Sequence, residues 1–457
     1  MLDPKIFKDY DIRATIGETL DQDGMYTLGV AFAAYFHPKT VAIGRDMRLS
    51  SDEFFSELSS AFIKQGINVI DLGLITTDMS YFAAATLAVD LALMITASHN
   101  PKYDNGLKVT LRGANPVSGD TGLYEIRDTL STLVDPSLAI EPGLITKLDI
   151  WDHWVEHISK FIDLKSIKPL KIAVDAGNGM GAVITNHLSK ILPLQVTPLY
   201  FDLDGNFPNH PAYPLILDNT KALRAEVSKG GYDFGVAWDG DADRVFLVDE
   251  QGQFIDGNIF SAMLADYILA EHPREKVIYN AVNGRVVEEV IRSHQGIPIR
   301  CRVGHALLKN KMREVDALLV VEHSGHYFFR DNFYSDSGVI ALLNVFKIIS
   351  QTGKRLSEIV APYRKYPSSG EINFKVPDKQ VIMDSIEERY QSTATSIDWL
   401  DGVTVWFPDW WFNVRPSNTQ PLLRLNLEVN DPTLSLDAKI AEVVEVITTQ
   451  GGQRVEE

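Results

Sequence analysis

Short apolar runs alternate with amphipathic helical stretches along most of the chain, the pattern of strands that cross over through helices into mainly parallel sheets. TVAIGRD, Thr40 to Asp46, reads as a buried strand. Ser50 and Glu53 stand at capping-box spacing and open a predicted helix to about Gln65, and NVIDLG, Asn68 to Gly73, supplies the next strand. LALMITAS, Leu91 to Ser98, is predicted as a third. After an aromatic helix around Trp151 to Phe161, KIAVDAGNGMGA (Lys171 to Ala182) reads as strand, glycine-rich turn and helix start. A third cycle begins near Asp256, with strands at Lys276 to Ala281, Ile299 to Val303 and Ala317 to Val321 and a helix through Arg292.

The grammar changes after a long helical stretch predicted over Val339 to Tyr363. From YPSSG onward the chain reads strand (GEINFKV), helix (Gln380 to Gln391), two strands (GVTVWFP and LLRLNLEV) and a last amphipathic helix, Leu436 to Thr449. That order suits a separate α+β domain. The predicted fold class is α/β, with three similar α/β domains of mixed, mainly parallel sheets plus a smaller C-terminal α+β domain. Boundaries are expected near residues 150, 253 and 365, giving domains 1–150, 151–253, 254–365 and 366–457.

Composition narrows the classes. The 457 residues are 45% hydrophobic and 23% charged, an ordinary globular balance that excludes a disordered or low-complexity chain. Lys plus Arg number 43 against 61 Asp plus Glu, a formal charge of -18, which repels phosphate backbones. Nucleic acid is therefore not an expected partner, and a compact anionic substrate would need its own local arginines and lysines. Cys301 is the only cysteine, so an intrachain disulfide and a cysteine zinc site are excluded and a cytoplasmic location is expected. MLDPKIFKDYDIR lacks the features of a secretory signal, and no run approaches ~18 uncharged apolar residues, so no membrane partner is expected.

Four motifs carry chemistry. DGDADR, Asp239 to Arg244, lies between two strand-like runs and places Asp239, Asp241 and Asp243 on one turn. Three carboxylates so close repel, and a bound hard cation, magnesium for preference, is the natural compensation. A calcium EF-hand is the rival, because Glu250 also falls on a ligand position, but Arg244 stands where that loop needs glycine; a solvated acidic turn is the plain alternative. TASHNPKYDNGLKV, Thr96 to Val109, follows the third strand, where α/β sheets bind ligands. It offers Ser98 as nucleophile or phosphate carrier and His99 and Lys108 as proton carriers or charge partners. VEHSGHYFFRD brings Glu322, His323, Ser324 and His326 to a strand end, able to grip sugar hydroxyls; a zinc site would want helical HExxH spacing, which is absent. RPSNTQP, Arg415 to Pro421, reads as a tight loop whose Arg415, Ser417, Asn418 and Thr419 suit a phosphate dianion.

Taken together the residues resemble one family, the α-D-phosphohexomutases, which include phosphomannomutases and phosphoglucomutases. YDIR with Arg13, TASHNP, DGDADR, GHALLK with His305 and Lys309, the SGH loop and RPSNT occur in the family's order along the whole chain. The resemblance implies four domains round a central cleft, with Ser98 as the phosphoserine and a ligand of Mg2+ beside Asp239, Asp241 and Asp243. It implies that Arg13, His99, Lys108 and Arg244 surround the transferring phosphate, and that Glu322, Ser324 and His326 contact sugar hydroxyls. His305 and Lys309 would help hold the substrate, and Arg415, Ser417, Asn418 and Thr419 would clamp its phosphate. The expected reaction interconverts hexose 6-phosphate and hexose 1-phosphate, mannose favoured, through a hexose 1,6-bisphosphate. Ala14 and Val321 depart from the glycines usual in the family and bear on loop conformation. An aspartate-nucleophile sugar phosphatase and a non-catalytic sugar-phosphate-binding protein are the alternatives; the phosphatase expects Thr or Val where Asp243 stands.

Overall fold

The computed structural model describes residues 2–133, 139, 141–417, 422–431 and 433–455. They form two compact units, one made of Met1–Gly257, Lys309–Leu319 and Ser324–Glu358, the other of Asn258–Leu308, Val320–His323 and Ile359–Glu457.

In the first unit a seven-stranded sheet runs in the order Ile12–Thr15, Asp104–Leu111, Leu91–Ile95, Thr40–Arg45, Asn68–Leu74, Ile145–Lys147, with Asn115–Pro116 paired beside Asp104–Leu111. Thr40–Arg45 lies parallel to both Asn68–Leu74 and Leu91–Ile95, and Asp104–Leu111 returns antiparallel. Every residue of Leu91–Ile95 is buried, which is why that run is apolar without alternation. Helices Gln22–Phe36 and Ser51–Lys64 supply Leu28, Phe32, Phe54, Leu58 and Phe62 to a core shared with Val41, Ile43 and Leu93, each such side chain contributing about 1.5–3 kcal/mol. Two details differ from the sequence expectation. Ser50 makes no capping bond; its hydroxyl instead accepts from Asn105 Nδ2 at 2.8 Å. The third strand stops at Ile95, because Ser98 takes a left-handed φ of 51° that no strand can carry.

A second sheet of the same unit orders Phe254–Ile255, Val245–Asp249, Phe234–Trp238, Leu170–Asp175 and Leu194–Leu199. Leu170–Asp175 is parallel to both its neighbours, whereas Val245–Asp249 folds straight back on Phe234–Trp238, so DGDADR forms the hairpin turn. The long helix expected over Val339 to Tyr363 is divided: Gly338–Thr352 ends on Gly353, whose φ of 64° closes the helix, and Leu356–Val360 follows.

In the second unit Lys276–Asn280 and Ile297–Cys301 pair in parallel beside helix Arg285–Ser293. A six-stranded antiparallel sheet runs Ser396–Asp398, Val403–Trp406, Trp410–Pro416, Leu422–Val429, Ser368–Lys375, Gln453–Val455. Helices Lys379–Tyr390 and Leu436–Thr449 bury Ile382, Ile386, Val443 and Ile447 against it. Trp410–Pro416 was not expected as a strand. It exists because Phe407 and Trp410 close a hairpin, Phe407 N donating to Trp410 O at 3.0 Å, and it places Arg415 on a strand, opposite Arg424, and not in a loop. Arg300 donates to Asp398 Oδ2 and Thr404 Oγ1, both at 2.8 Å, and ties this sheet to the parallel pair. No helix among the described residues is long and apolar enough to cross a membrane.

Candidate active site

Ser98 sits in a loop that leaves the centre of the first sheet. Its backbone N–H donates to Thr96 Oγ1 at 2.8 Å, and Thr96 in turn donates to Asp46 Oδ2 at 2.7 Å, so the strand end dictates the loop's start. Arg48 Nη2 takes the Ser98 carbonyl at 2.7 Å. With the backbone held at positive φ, a strained conformation for serine, the hydroxyl reaches the hairpin turn of the second sheet and donates to Asp239 Oδ2 at 2.9 Å. Gly240 permits this approach: a Cβ there would lie 2.4 Å from the Ser98 carbonyl oxygen.

The turn's three aspartates converge, one oxygen from each lying within 4.8 Å of the others, and all are buried. Arg244 returns from the turn to donate through Nε to Asp239 Oδ2 at 2.8 Å, and its Nη2 lies 3.4 Å from Ser98 Oγ. Lys108, on the antiparallel strand Asp104–Leu111, donates to Asp241 Oδ2 at 3.0 Å and Asp243 Oδ2 at 2.6 Å. Burial works against the Lys108 charge, but Asp241 and Asp243 outweigh it and raise its pKa above the ordinary lysine value. Burial, and then the charge of Asp243, push Asp239 well above the usual carboxylate range. At Asp243 burial is overcome by Lys108 and His326, and its pKa falls.

His99 is deprived of its charge by burial and then by Arg244 and Arg13, which hold it well below the ordinary imidazole pKa. Arg244 Nη2 hydrogen-bonds His99 Nδ1. A guanidinium only donates, so Nδ1 accepts and the neutral ring carries its proton on Nε2. Arg13 pairs with Asp11 at 2.8 Å while its Nη1 is buried without a hydrogen-bond partner. His326 Nε2 stands 3.6 Å from Asp243 Oδ1, and Ser324 Oγ is 3.3 Å from His326 Nδ1.

Asp241 Oδ1 and Asp243 Oδ1 are buried with no hydrogen-bond partner. Orphaned carboxylate oxygens are costly unless a cation takes them. Three carboxylates and one hydroxyl form an all-oxygen donor set, which suits a hard divalent ion and not zinc or a soft metal. The residues present fit Mg2+.

Lys309 also belongs to the first unit, but its ammonium is fully buried, 2.9 Å from Asp336 Oδ1 and 3.3 Å from the centre of the Tyr81 ring. Burial lowers its pKa to about 8, against the pull of Asp336. In the second unit, His305 opens a helix, and Glu322 is buried and accepts from Asn280 Nδ2 at 3.3 Å. Arg415 is also there, with Ser417 N donating to Leu422 O at 2.9 Å; Asn418 and Thr419 lie outside the described residues. Sequence reasoning missed the partners of Arg415. Glu371 accepts from Arg415 Nη2 at 3.0 Å and pairs with Arg424 Nη1 at 3.2 Å, so two guanidiniums on adjacent strands share one carboxylate. Alternation along LLRLNLEV, which puts Arg424 and Leu423 on opposite faces, is a signal that could have found Arg424; Glu371, from a strand far earlier in the chain, had no local signal. Arg48 and Thr77 were missed too.

Four models of the phosphoglucomutase/phosphomannomutase family match in order: alpha/beta/alpha domain I over residues 4–133, domain II over 152–252, domain III over 256–366 and the C-terminal domain over 371–446. The chain belongs to this family. Among curated relatives it is 39% identical over 440 residues to the phosphohexose mutases protein of Xanthomonas campestris pv. campestris strain B100, covering 96% of this chain and 98% of that one. It is 36% identical over 440 residues to a phosphomannomutase of Escherichia coli strain K12, covering 95% and 96%. A solved phosphoglucomutase/phosphomannomutase family protein of Burkholderia thailandensis superposes with a TM-score of 0.88 at 30% identity, over 99% of this chain and 100% of that one. As a phosphoglucomutase/phosphomannomutase family member the protein is an isomerase-type phosphotransferase, and the expected fold class, three α/β domains and a sheet-rich C-terminal domain, is the family's. Family membership sets aside the phosphatase and the non-catalytic binder.

Proposed function

We propose that this phosphohexomutase interconverts hexose 6-phosphate and hexose 1-phosphate, mannose favoured over glucose, by carrying the phosphoryl group on Ser98 through a hexose 1,6-bisphosphate. One observation carries the reading: the Ser98 hydroxyl donates to Asp239 inside a cluster of three buried carboxylates while Arg244 approaches the same oxygen. A bare serine has nothing to donate, so Ser98 begins the cycle phosphorylated. Asp239, Asp241, Asp243 and Ser98 Oγ would hold Mg2+, which when bound offsets charge on the transferring phosphoryl group. Arg244, anchored on Asp239, adds a guanidinium 3.4 Å from Oγ, and Lys108 and Arg13 bring further positive charge to Asp241 and Asp243. Positioning supplies most of the remaining acceleration.

In the same reading Glu322, Ser324 and His326 take the sugar hydroxyls and His305 the substrate, while Lys309, its charge engaged by Asp336, supports from within the fold. Arg415 and Ser417, with Asn418 and Thr419, hold the phosphate that is not being transferred. The bisphosphate must reverse end for end between the two half-reactions, so that clamp has to accept either phosphate. We place domain boundaries near residues 150, 253 and 365 and the enzyme in the cytoplasm, which a single cysteine suits.

The test is turnover of mannose 1-phosphate and glucose 1-phosphate to the 6-phosphates by wild type and Ser98→Ala, with intact-mass analysis. Wild type should carry phosphate on Ser98, and Ser98→Ala should unfold like wild type yet lose turnover by orders of magnitude. Near-wild-type turnover in Ser98→Ala refutes the phosphoserine, and faster glucose 1-phosphate conversion refutes the sugar preference.

A further inference from the structure

Two groups that are not proposed metal ligands reach Ser98 Oγ, the His99 imidazole with Nδ1 at 3.2 Å and the Arg244 guanidinium with Nη2 at 3.4 Å. Both lie against one aromatic ring. The His99 ring stacks on Tyr213 with centroids 4.3 Å apart and planes 30° from parallel, and the Arg244 guanidinium carbon stands 5.3 Å from the centre of the same ring. Because Arg244 also hydrogen-bonds His99, the ring, the imidazole and the guanidinium form one packed triad beside the nucleophile.

Tyr213 comes from residues 200–216, a stretch with no helix or strand, and such a segment could not hold a ring in place unaided. Here it is pinned. His210 binds the Asp175 carboxylate through Nε2 at 3.1 Å and the Pro211 carbonyl through Nδ1 at 2.8 Å. With acceptors at both nitrogens the ring is a double donor, and Asp175 raises its pKa against the effect of burial. Asn209 Nδ2 donates to Asn178 Oδ1 and Asn219 Nδ2 to the Tyr213 carbonyl, each at 2.8 Å, and Ala212 is buried next to Gly177. The anchor Asp175 ends the strand Leu170–Asp175 and Asn178 lies in the glycine-rich turn after it, so the ring is referenced to the same sheet that carries the aspartate turn.

We infer that Tyr213 is a positioning residue for phosphoryl transfer, its ring face holding His99 and Arg244 in the pose that aims both at Ser98 Oγ. The inference rests on the reading of Ser98 as the phosphoryl carrier. Both observed contacts are to the face of the ring, so the inference assigns the holding to the π system, and Tyr213→Phe tests the hydroxyl. An aromatic stack and a desolvated cation–π contact together bias a side-chain pose by about tenfold. A residue of similar bulk without a π face fills the space and loses the bias.

The test compares Tyr213→Leu with Tyr213→Phe in the full-length enzyme. Steady-state kcat and KM are measured with mannose 1-phosphate, and the His99 ring protons, which the Tyr213 ring current moves upfield, are followed by NMR of histidine-labelled protein assigned with His99→Asn. Tyr213→Leu should return the His99 signal to its unshifted position and lower kcat about tenfold, with KM within about twofold of wild type. Tyr213→Phe should restore both. Wild-type kcat in Tyr213→Leu overturns the inference, as does a loss that Tyr213→Phe shares, which would place the role in the hydroxyl. If Ser98→Ala is fully active, the phosphoserine reading falls while the His99 signal still reports the stack, so the two failures are distinguishable.

Discussion

The Arg48 guanidinium donates through Nη2 to the carbonyl oxygen of Ser98 at 2.7 Å. The same nitrogen takes Asn100 O at 2.7 Å, and Nη1 takes Pro101 O at 2.9 Å and Asp104 O at 2.8 Å. One buried side chain thus binds four carbonyls between Ser98 and the start of the strand Asp104–Leu111, while Asp46, 3.4 Å from Nε, compensates its charge. Arg48→Ala should destabilise the fold by about 3–5 kcal/mol, the usual result of stripping a buried pair of one partner, and should abolish turnover. Arg48→Lys should keep more stability than alanine but little activity, because an ammonium lacks the planar fork. Melting temperatures and kcat for the two variants check this; an Arg48→Lys enzyme with wild-type kcat would show that the loop does not need the fork.

Thr77 supports the carboxylate cluster from a neighbouring segment. Its hydroxyl donates to Asp241 Oδ2 at 2.5 Å and its backbone N–H lies 3.4 Å from Asp241 O. Groups that orient a ligand carboxylate typically govern 10–100-fold in metal affinity, so Thr77→Val should weaken Mg2+ binding by about that factor and Thr77→Ser by much less. Calorimetric titration of the protein with Mg2+ alone measures it directly, and equal affinities in the valine variant and wild type would refute the orienting role.

Arg415 is expected to serve both substrates. Removing it deletes a charge-assisted contact worth roughly 1.5–3 kcal/mol, so Arg415→Ala should weaken phosphosugar binding about tenfold or more. In the proposed reaction the 1-phosphate and the 6-phosphate occupy the clamp in turn, so both reaction directions should suffer. Kinetics in the two directions decide it: an enzyme crippled toward the 6-phosphate but normal toward the 1-phosphate would require two separate phosphate sites.

Asp78 should leave a mark on the pH dependence of stability. Its carboxylate is buried, accepts from Thr76 and Ser337, and burial raises its pKa to about 7 against those hydrogen bonds. Between the unfolded carboxylate value and about 7 the folded state holds one more proton than the unfolded chain, so stability falls as pH rises through that window. Above it both states are ionised and the whole cost of the buried charge is present. Asp78→Asn cannot ionise, and its unfolding free energy between pH 5 and 7.5 should fall less than that of wild type by about 1–3 kcal/mol. Identical slopes for the two proteins would show that Asp78 does not take up this proton on folding.

Much of this protein is legible without coordinates because its determinants are local. Apolar runs of strand length, amphipathic stretches between them and the change of grammar after YPSSG report which faces are buried, and Leu91–Ile95, Phe234–Trp238 and Leu436–Thr449 follow from that alone. The aspartate turn is equally local: three carboxylates at alternate positions between two strands announce a cation by their own repulsion. Local pattern also explains the errors. A helix pattern runs through Gly353 because one residue hardly alters periodicity, whereas its left-handed φ stops the helix. The strand Trp410–Pro416 is hidden by a three-residue turn at Phe407 to Asp409 that leaves almost no polar gap.

What only the tertiary structure decided is which distant groups meet. Ser98 and Asp239 are 141 positions apart and share a hydrogen bond, Thr77 and Asp241 are 164 apart, and Arg415 and Glu371 face each other only because their strands join one sheet. Tyr213 is the clearest case: nothing in HPAYP distinguishes a surface turn from a ring stacked on the imidazole beside Ser98. Side-chain chemistry and short-range periodicity are properties of the residues themselves. Desolvation, ion pairing and ring stacking depend on what else is brought within a few ångströms, and only the folded chain supplies that company.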